Sequence, residues 1–270
     1  MFVIIGIVVV FGCVVAGYLM EHGNLKVLVQ PAELVILGGA AVGTVLIANP
    51  LHILKAIVGG IAGAFGGSKF SKDKYLETMK MMYELISRAR KEGLMTLEAD
   101  SDGPDKSPVF SKYPKFLKDH HALHFVCDTI RLAAGGGVEP FDMDQMMELD
   151  MDVHHHGASQ PIAALSTMAD SLPGLGIVAA ALVGTFLGIL LCYGLIGPIA
   201  SSMTKGSEDE HAYYYVLRVA MVAFTKGIPP TVAVEFGRRA IPGHVRPSFQ
   251  DLEKYIKGGG SGEAAPAPAA

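Results

Sequence analysis

Residues 172–200 form a run of 29 residues without a single charge, and the polar regions on both sides of it are basic. A bilayer core about 30 Å thick is crossed by roughly 20 helical residues, so this run must meet lipid. Lysine and arginine in loops near spans mark the cytoplasmic side. Of the 22 such residues, 13 lie in 53–171, 8 lie in 201–270, and the last is Lys26. Both flanks of the run therefore belong on one side, which demands an even number of crossings between them. Yet 29 residues are long for one span and too short for two spans and a turn. The charge pattern contradicts the length of the run, unless part of the run is missing or the topology is unusual. Its glycines (Gly174, Gly176, Gly184, Gly188, Gly194, Gly197) suit close helix–helix packing, because lipid supplies no hydrophobic drive between helices. It is polar only at Thr185 and, weakly, at Cys192 and Tyr193.

Composition agrees with a membrane protein. Half of the residues are hydrophobic, 18% are charged, and the mean hydropathy is +0.38. A net charge of −4 gives no sign of nucleic-acid binding. Cys13, Cys127 and Cys192 share no metal-ligand spacing, and the two in apolar runs read as small hydrophobes. Residues 1–20 form an apolar run without a basic leader, longer than the ~7–15 residues of a signal-peptide core, so a retained spanning helix is expected. A second run, Leu34–Asn49, is extended by Pro31 and Ala32 and closed by Pro50. Residues 1–52 thus read as a transmembrane hairpin with a short external turn.

Residues 53–170 differ in kind and read as a helical cytoplasmic domain. After a glycine-rich patch at 59–67, Tyr75, Leu76, Met79, Met82, Leu85, Ile86 and Ala89 recur at helical spacing. A second amphipathic segment runs from Tyr113 to Leu132 and ends at Gly135-Gly136-Gly137. Pro140 opens a third, with Phe141, Met143, Met146, Met147 and Met151, which leads toward the long apolar run at 171–201. These methionines suit an adaptable packing surface. After a polar break at Lys205–Glu210, the segment Tyr213–Phe224 carries Arg218 at its centre. That is a poor span and a good helix for packing on the other cytoplasmic helices, within a segment 202–257. Residues 258–270 lack the means to build a core and read as a disordered tail.

Several strings together resemble one family. They are Gln30-Pro31-Ala32-Glu33-Leu34-Val35-Ile36; Ser87-Arg88-Ala89-Arg90-Lys91-Glu92-Gly93 with Leu97-Glu98; and Asp170-Ser171-Leu172-Pro173 with Gly176-Ile177-Val178-Ala179-Ala180. Val183-Gly184-Thr185-Phe186-Leu187-Gly188-Ile189-Leu190, Ala233-Val234-Glu235-Phe236-Gly237-Arg238-Arg239 and Arg246-Pro247-Ser248-Phe249 complete the set. Their order and type are similar to those of the flagellar motor stator proteins called MotA, over nearly the whole chain to about Lys257. In that family the Gly-Ile-Val-Ala-Ala and Leu-Val-Gly-Thr-Phe-Leu-Gly strings sit on successive helices some two dozen residues apart. Here Ala180 and Leu182 almost touch. Either the chain has a deletion, or unrecorded residues separate the two sides; the second restores four spans and predicts a Cα separation near Ala180–Leu182 above the ~3.8 Å of a peptide bond.

The resemblance implies an all-α polytopic membrane protein of four spanning helices with a helical cytoplasmic domain. It implies a motor subunit, not an enzyme, and no glycine-rich phosphate loop or nucleophile motif argues otherwise. None of the three apolar runs contains an acidic or basic relay, which an ion path normally needs. The family supplies it from a partner, MotB, whose aspartate carries the ion. On that reading Ala180 and Thr185 line the path. Family members that pass sodium have a hydroxyl where Ala180 stands, which implies protons here and no other cofactor. Pro173 and Pro198 become hinges that carry partner protonation to the cytoplasmic domain. Arg90 and Glu98 meet the rotor protein FliG, and five copies surround two MotB chains in the bacterial inner membrane. Alternatives are an energy-transducing channel subunit like ExbB or TolQ, and a scaffold that conducts nothing. His154-His155-His156, beside Asp150 and Asp152, cannot all face one ion from consecutive helical positions, so no metal site is expected. His120, His121 and His124 likewise read as packing or surface residues.

Overall fold

A computed structural model describes residues 2–24, 30–178 and 182–258. Every regular element among them is helical. In chain order these are α1 (Phe2–Met20), α2 (Pro31–Ala48), α3 (Leu51–Ala64), α4 (Lys72–Glu92), α5 (Leu94–Asp102), α6 (Pro114–Leu117), α7 (His120–Gly135), α8 (Pro140–Val178), α9 (Leu182–Leu191), α10 (Gly197–Thr225), α11 (Pro230–Ala240) and α12 (Phe249–Lys257). A single π turn, Cys192–Ile196, joins α9 to α10. The chain packs as two units: Met1–Ser68 with His154–Asp209, and Lys69–Val153 with Glu210–Ala270. These packing divisions fall at 68, 153 and 209, whereas the membrane edges were expected near 52, 170 and 201; helices can pack together well beyond the lipid. The tail expected from 258 onward lies, past Gly258, outside the described residues.

Three stretches are long and apolar enough to cross a membrane: Val3–Met20 of α1, Pro31–Ala48 of α2, and one within Val183–Thr225. The long apolar run is not one helix. Helix α8 ends at Val178, α9 starts at Leu182, and the two lie antiparallel. A Cβ on Gly176 would stand 2.5 Å from the Gly184 carbonyl oxygen, and one on Gly188 would stand 2.5 Å from that of Leu172. The chain therefore returns to the side it left, which reconciles the two basic flanks. The arms are unequal: Leu182–Ala200 rises about 28 Å, close to a bilayer core, whereas Leu172–Val178 rises only about 10 Å. The break expected near Ala180–Leu182 lies outside the described residues. Further down, the same pairing continues in a cluster of Leu165, Ile199, Ala200 and Met203 with Ile53 and Ile57 of α3. Helix α3 absorbs part of the glycine patch, since Gly60 gives room to the Met203 side chain.

The π turn has a local cause. Pro198 has no N–H to give and its ring would strike the carbonyl four residues back, so the ladder opens before it. Gly197 N–H reaches back to the Cys192 carbonyl instead. Gly194 in this turn admits Val10 of α1, whose side chain would lie 2.9 Å from any Cβ there.

In the second unit the helical spacing from Tyr75 to Ala89 becomes the buried face of α4. Ser71 caps its start and Gly93, at φ 91°, ends it. Against that face pack Phe110, Phe116, Val126, Met147, Met151, Tyr213, Tyr214 and Leu217, and the Thr78 and Tyr213 hydroxyls bond at 2.9 Å inside the core. The segment expected over 113–132 is divided, because the Asp119 side chain accepts from Ala122 N–H and starts α7 afresh. Gly136 and Gly137, both at positive φ, follow α7. The polar stretch 205–210 does not interrupt α10: Lys, Glu and Asp there keep helical geometry, and only Gly206 weakens it. Arg218, 13% exposed, pairs with Asp144 at 2.6 Å and Glu148 at 3.2 Å of α8. Its charge thus serves packing between helices, as the sequence suggested. Burial pushes the Cys127 thiol of α7 up to about 11, so it stays neutral and behaves as a small hydrophobe.

Candidate functional site

The membrane site is the crossing of α8 and α9. Thr185 is half-buried there, and its Oγ1 donates to the Gly176 carbonyl across the crossing at 3.4 Å. Gly176, Gly184 and Gly188 are all buried, and they bring the two backbones together without side chains between. Pro173, within α8, stands against Gly188 of α9: a Cβ on Gly188 would lie 3.5 Å from the Pro173 Cα. Thus Pro173 and Thr185 share one hairpin. Ala180 lies outside the described residues. Pro198 is exposed, two residues past the end of the π turn. A π turn ahead of a proline is a place where a helix bends with little loss of hydrogen bonding.

Sequence reasoning passed over Glu33. It stands in the first turn of α2, inside the span Pro31–Ala48. It is 4% exposed and neither carboxylate oxygen has a hydrogen-bond partner. The spacing of Glu33, Leu37 and Ala41, the three buried residues of α2, was the available signal. Starting the second run at Leu34 hid it.

Arg90 and Glu98 were expected on one amphipathic segment. They stand on two helices, α4 and α5, on either side of the turn at Gly93. Arg90 is exposed, Glu98 is half-buried, and neither has an ion pair among the described residues. Their neighbour Arg88 is engaged, bonding Glu92 at 2.9 Å and Asp100 at 3.1 Å, and so ties α4 to α5. Beside Arg90 a surface cavity of about 320 Å³ is lined by Ile86, Leu94, Val138, Met143 and Phe224. Of the three histidines at 154–156, the His155 ring reaches Ser207 at 3.4 Å. His121 packs on the Tyr214 ring. No group of His, Cys, Asp and Glu able to hold a metal occurs among the described residues.

Comparison with known proteins shows the family of the chain. Motility protein A of Salmonella typhimurium is 34% identical over 281 positions that cover 95% of each chain, and the protein of the same name from Escherichia coli matches equally. The chain belongs to the motility protein A family. The family model for the motility protein A N-terminal region matches residues 4–93, from α1 to the end of α4. In fold, the chain is similar to a solved structure of the flagellar MotAB stator complex from Bacillus subtilis (TM-score 0.71, 21% identity, 91% of this chain and 98% of that one).

Two features of the chain read differently in this light. The Salmonella alignment occupies more positions than the 270 residues available here, so motility protein A carries residues that this chain lacks. Secondly, the C-terminal strings are structural. Glu235 pairs with Arg238 at 2.7 Å and Arg239 at 2.9 Å, and Arg238 also bonds the Pro247 carbonyl. The Arg238 guanidinium accordingly holds the Glu235 carboxyl below its ordinary range. Arg246 bonds the Ile241 carbonyl, and Ser248 with Asp251 forms the capping box of α12. These residues fasten α11 to α12.

Proposed function

We propose that this chain couples a flow of protons to torque through a carboxylate lent by a second protein. Its place as a flagellar stator subunit and membrane protein follows from its family. The observation that carries the finer reading is the poverty of the hairpin: α9 and Leu172–Val178 contain no ionisable side chain, and Thr185 is the one hydroxyl at their crossing. Such a wall can guide an ion but cannot relay it. The Bacillus relative is a MotAB complex, so a MotB-like spanning helix with an aspartate is the natural donor. Protons, not sodium, are the expected ion: a motor that stops on sodium removal while proton-motive force persists would contradict this. The chain sits in the inner membrane with 53–170 and the C-terminus inside, assembled as five copies around two partner helices. It is a machine component, not an enzyme.

Torque needs a surface that meets the rotor and lets go. Arg90 and Glu98, free of ion pairs among the described residues, offer charges for a rotor protein such as FliG. Exposed pairs are weak and form fast, which suits repeated release. Arg90→Glu is expected to abolish or sharply reduce swimming while membrane assembly with the partner, checked by co-purification, stays normal. Unchanged swimming would remove Arg90 from the rotor contact. A conductionless scaffold makes no such demand on Arg90.

A further inference from the structure

The membrane unit contains a carboxyl for which the preceding reading has no use. Glu33 is buried, and both its oxygens lack a hydrogen-bond partner. It shares the buried face of α2 with Leu37 and Ala41. Ala41 packs in one cluster with Ala169, Leu172 and Cys192, and Val45, one turn on, packs with the cluster holding Ile199. Helix α2 therefore runs parallel to α9 and the π turn. Stepping back about 12 Å from Ala41 reaches Glu33, and the same step from Cys192 reaches Gly184. That register puts Glu33 toward the Gly184–Thr185 end of α9.

Helix α9 and residues 172–178 have no titratable side chain, Asp170 is exposed, and Cys192 lies about 12 Å deeper. A carboxylate buried in an apolar place without a donor is costly, and ionisable residues inside a membrane mark ion routes. The simplest species to relieve that cost is a proton. We propose that Glu33 is a proton-binding residue of this chain, toward the Thr185 end of α9, that takes up the ion from the outer side and passes it to the partner's carboxylate. Its carboxylate gains one proton to become the acid, and that proton then moves to the partner's carboxylate, restoring the first. The proposal rests on the proton-driven reading for its direction of transfer, but the binding of a proton at Glu33 does not.

The test treats the purified complex with its partner using dicyclohexylcarbodiimide, an apolar reagent that adds to protonated carboxyls, and maps the products by mass spectrometry. Glu33 is expected to be modified. Glu33→Gln should leave the complex assembled and cut proton flux about tenfold or more, and Glu33→Asp should recover part of it. An unmodified Glu33 beside a modified partner aspartate, or wild-type flux in Glu33→Gln, would overturn the proposal. If Glu33→Gln does not assemble, the labelling decides alone. Labelled Glu33 in a wild-type complex without flux supports proton binding there and counts against the ion-driven reading only.

Discussion

Gly188→Val is expected to abolish assembly of the stator subunit in the membrane. The first atom of the new side chain would fall 2.5 Å from the Leu172 carbonyl oxygen and 3.5 Å from the Pro173 Cα. Those are backbone atoms of the facing helix, so no side-chain rotation relieves the clash. Forcing extra carbon into a packed site costs about 1–3 kcal/mol even where side chains can shift. Here α8 and α9 must separate as bodies, and in lipid no hydrophobic gain holds them together afterwards. The loss then exceeds that range, and where total stability lies near the low end of about 5–15 kcal/mol, a loss of about 5 kcal/mol removes most of the folded protein. Membrane abundance and co-purification with the partner measure it. Gly174→Val is the control, since nothing lies within 4 Å of a Cβ at that position; it should assemble normally. Equal behaviour of the two variants would mean that the crossing of α8 and α9 is not held by close backbone contact.

Thr185→Val should leave the protein assembled and reduce proton flux by about a hundredfold, the scale on which a positioned polar group acts on charge in transit. Valine keeps the shape and removes the hydroxyl. The bond lost, from Oγ1 to the Gly176 carbonyl at 3.4 Å, is long, and even a good one is worth only about 0.5–1.5 kcal/mol. Stability therefore changes little, and function changes greatly. Thr185→Ser, which keeps the hydroxyl, should pass ions within about threefold of the parent. Flux through assembled complexes in vesicles separates these outcomes. Normal flux in Thr185→Val would take this residue off the ion path.

Much of the fold was legible from periodicity and caps. The stripe from Tyr75 to Ala89 and the cap at Ser71 define α4, because burial and helix geometry both act over a few residues. The contradiction between the basic flanks and the 29-residue run also pointed to a reversal, and α8 with α9 supplies one. What was hidden depends on distant partners. The polar stretch 205–210 reads as a loop by composition, yet it continues α10, where Ser207 meets His155 of α8. Asp119 divides 113–132 because its carboxylate is better used as a cap than as a helical surface charge. Arg90 and Glu98 were legible as residues of interest, but their separation onto two helices follows from Gly93, whose positive φ no periodicity reports. Glu33 escaped because a carboxylate next to a proline reads as the edge of a span, and only burial shows it to be inside.

The most direct test is proton flux into vesicles that contain this chain alone, this chain with its MotB-type partner, or this chain with a partner whose spanning aspartate is changed to asparagine. Flux only in the second preparation is the predicted result. Motor-like flux through the chain alone, or through the complex with the asparagine partner, would contradict the claim that the ion rides on a borrowed carboxylate.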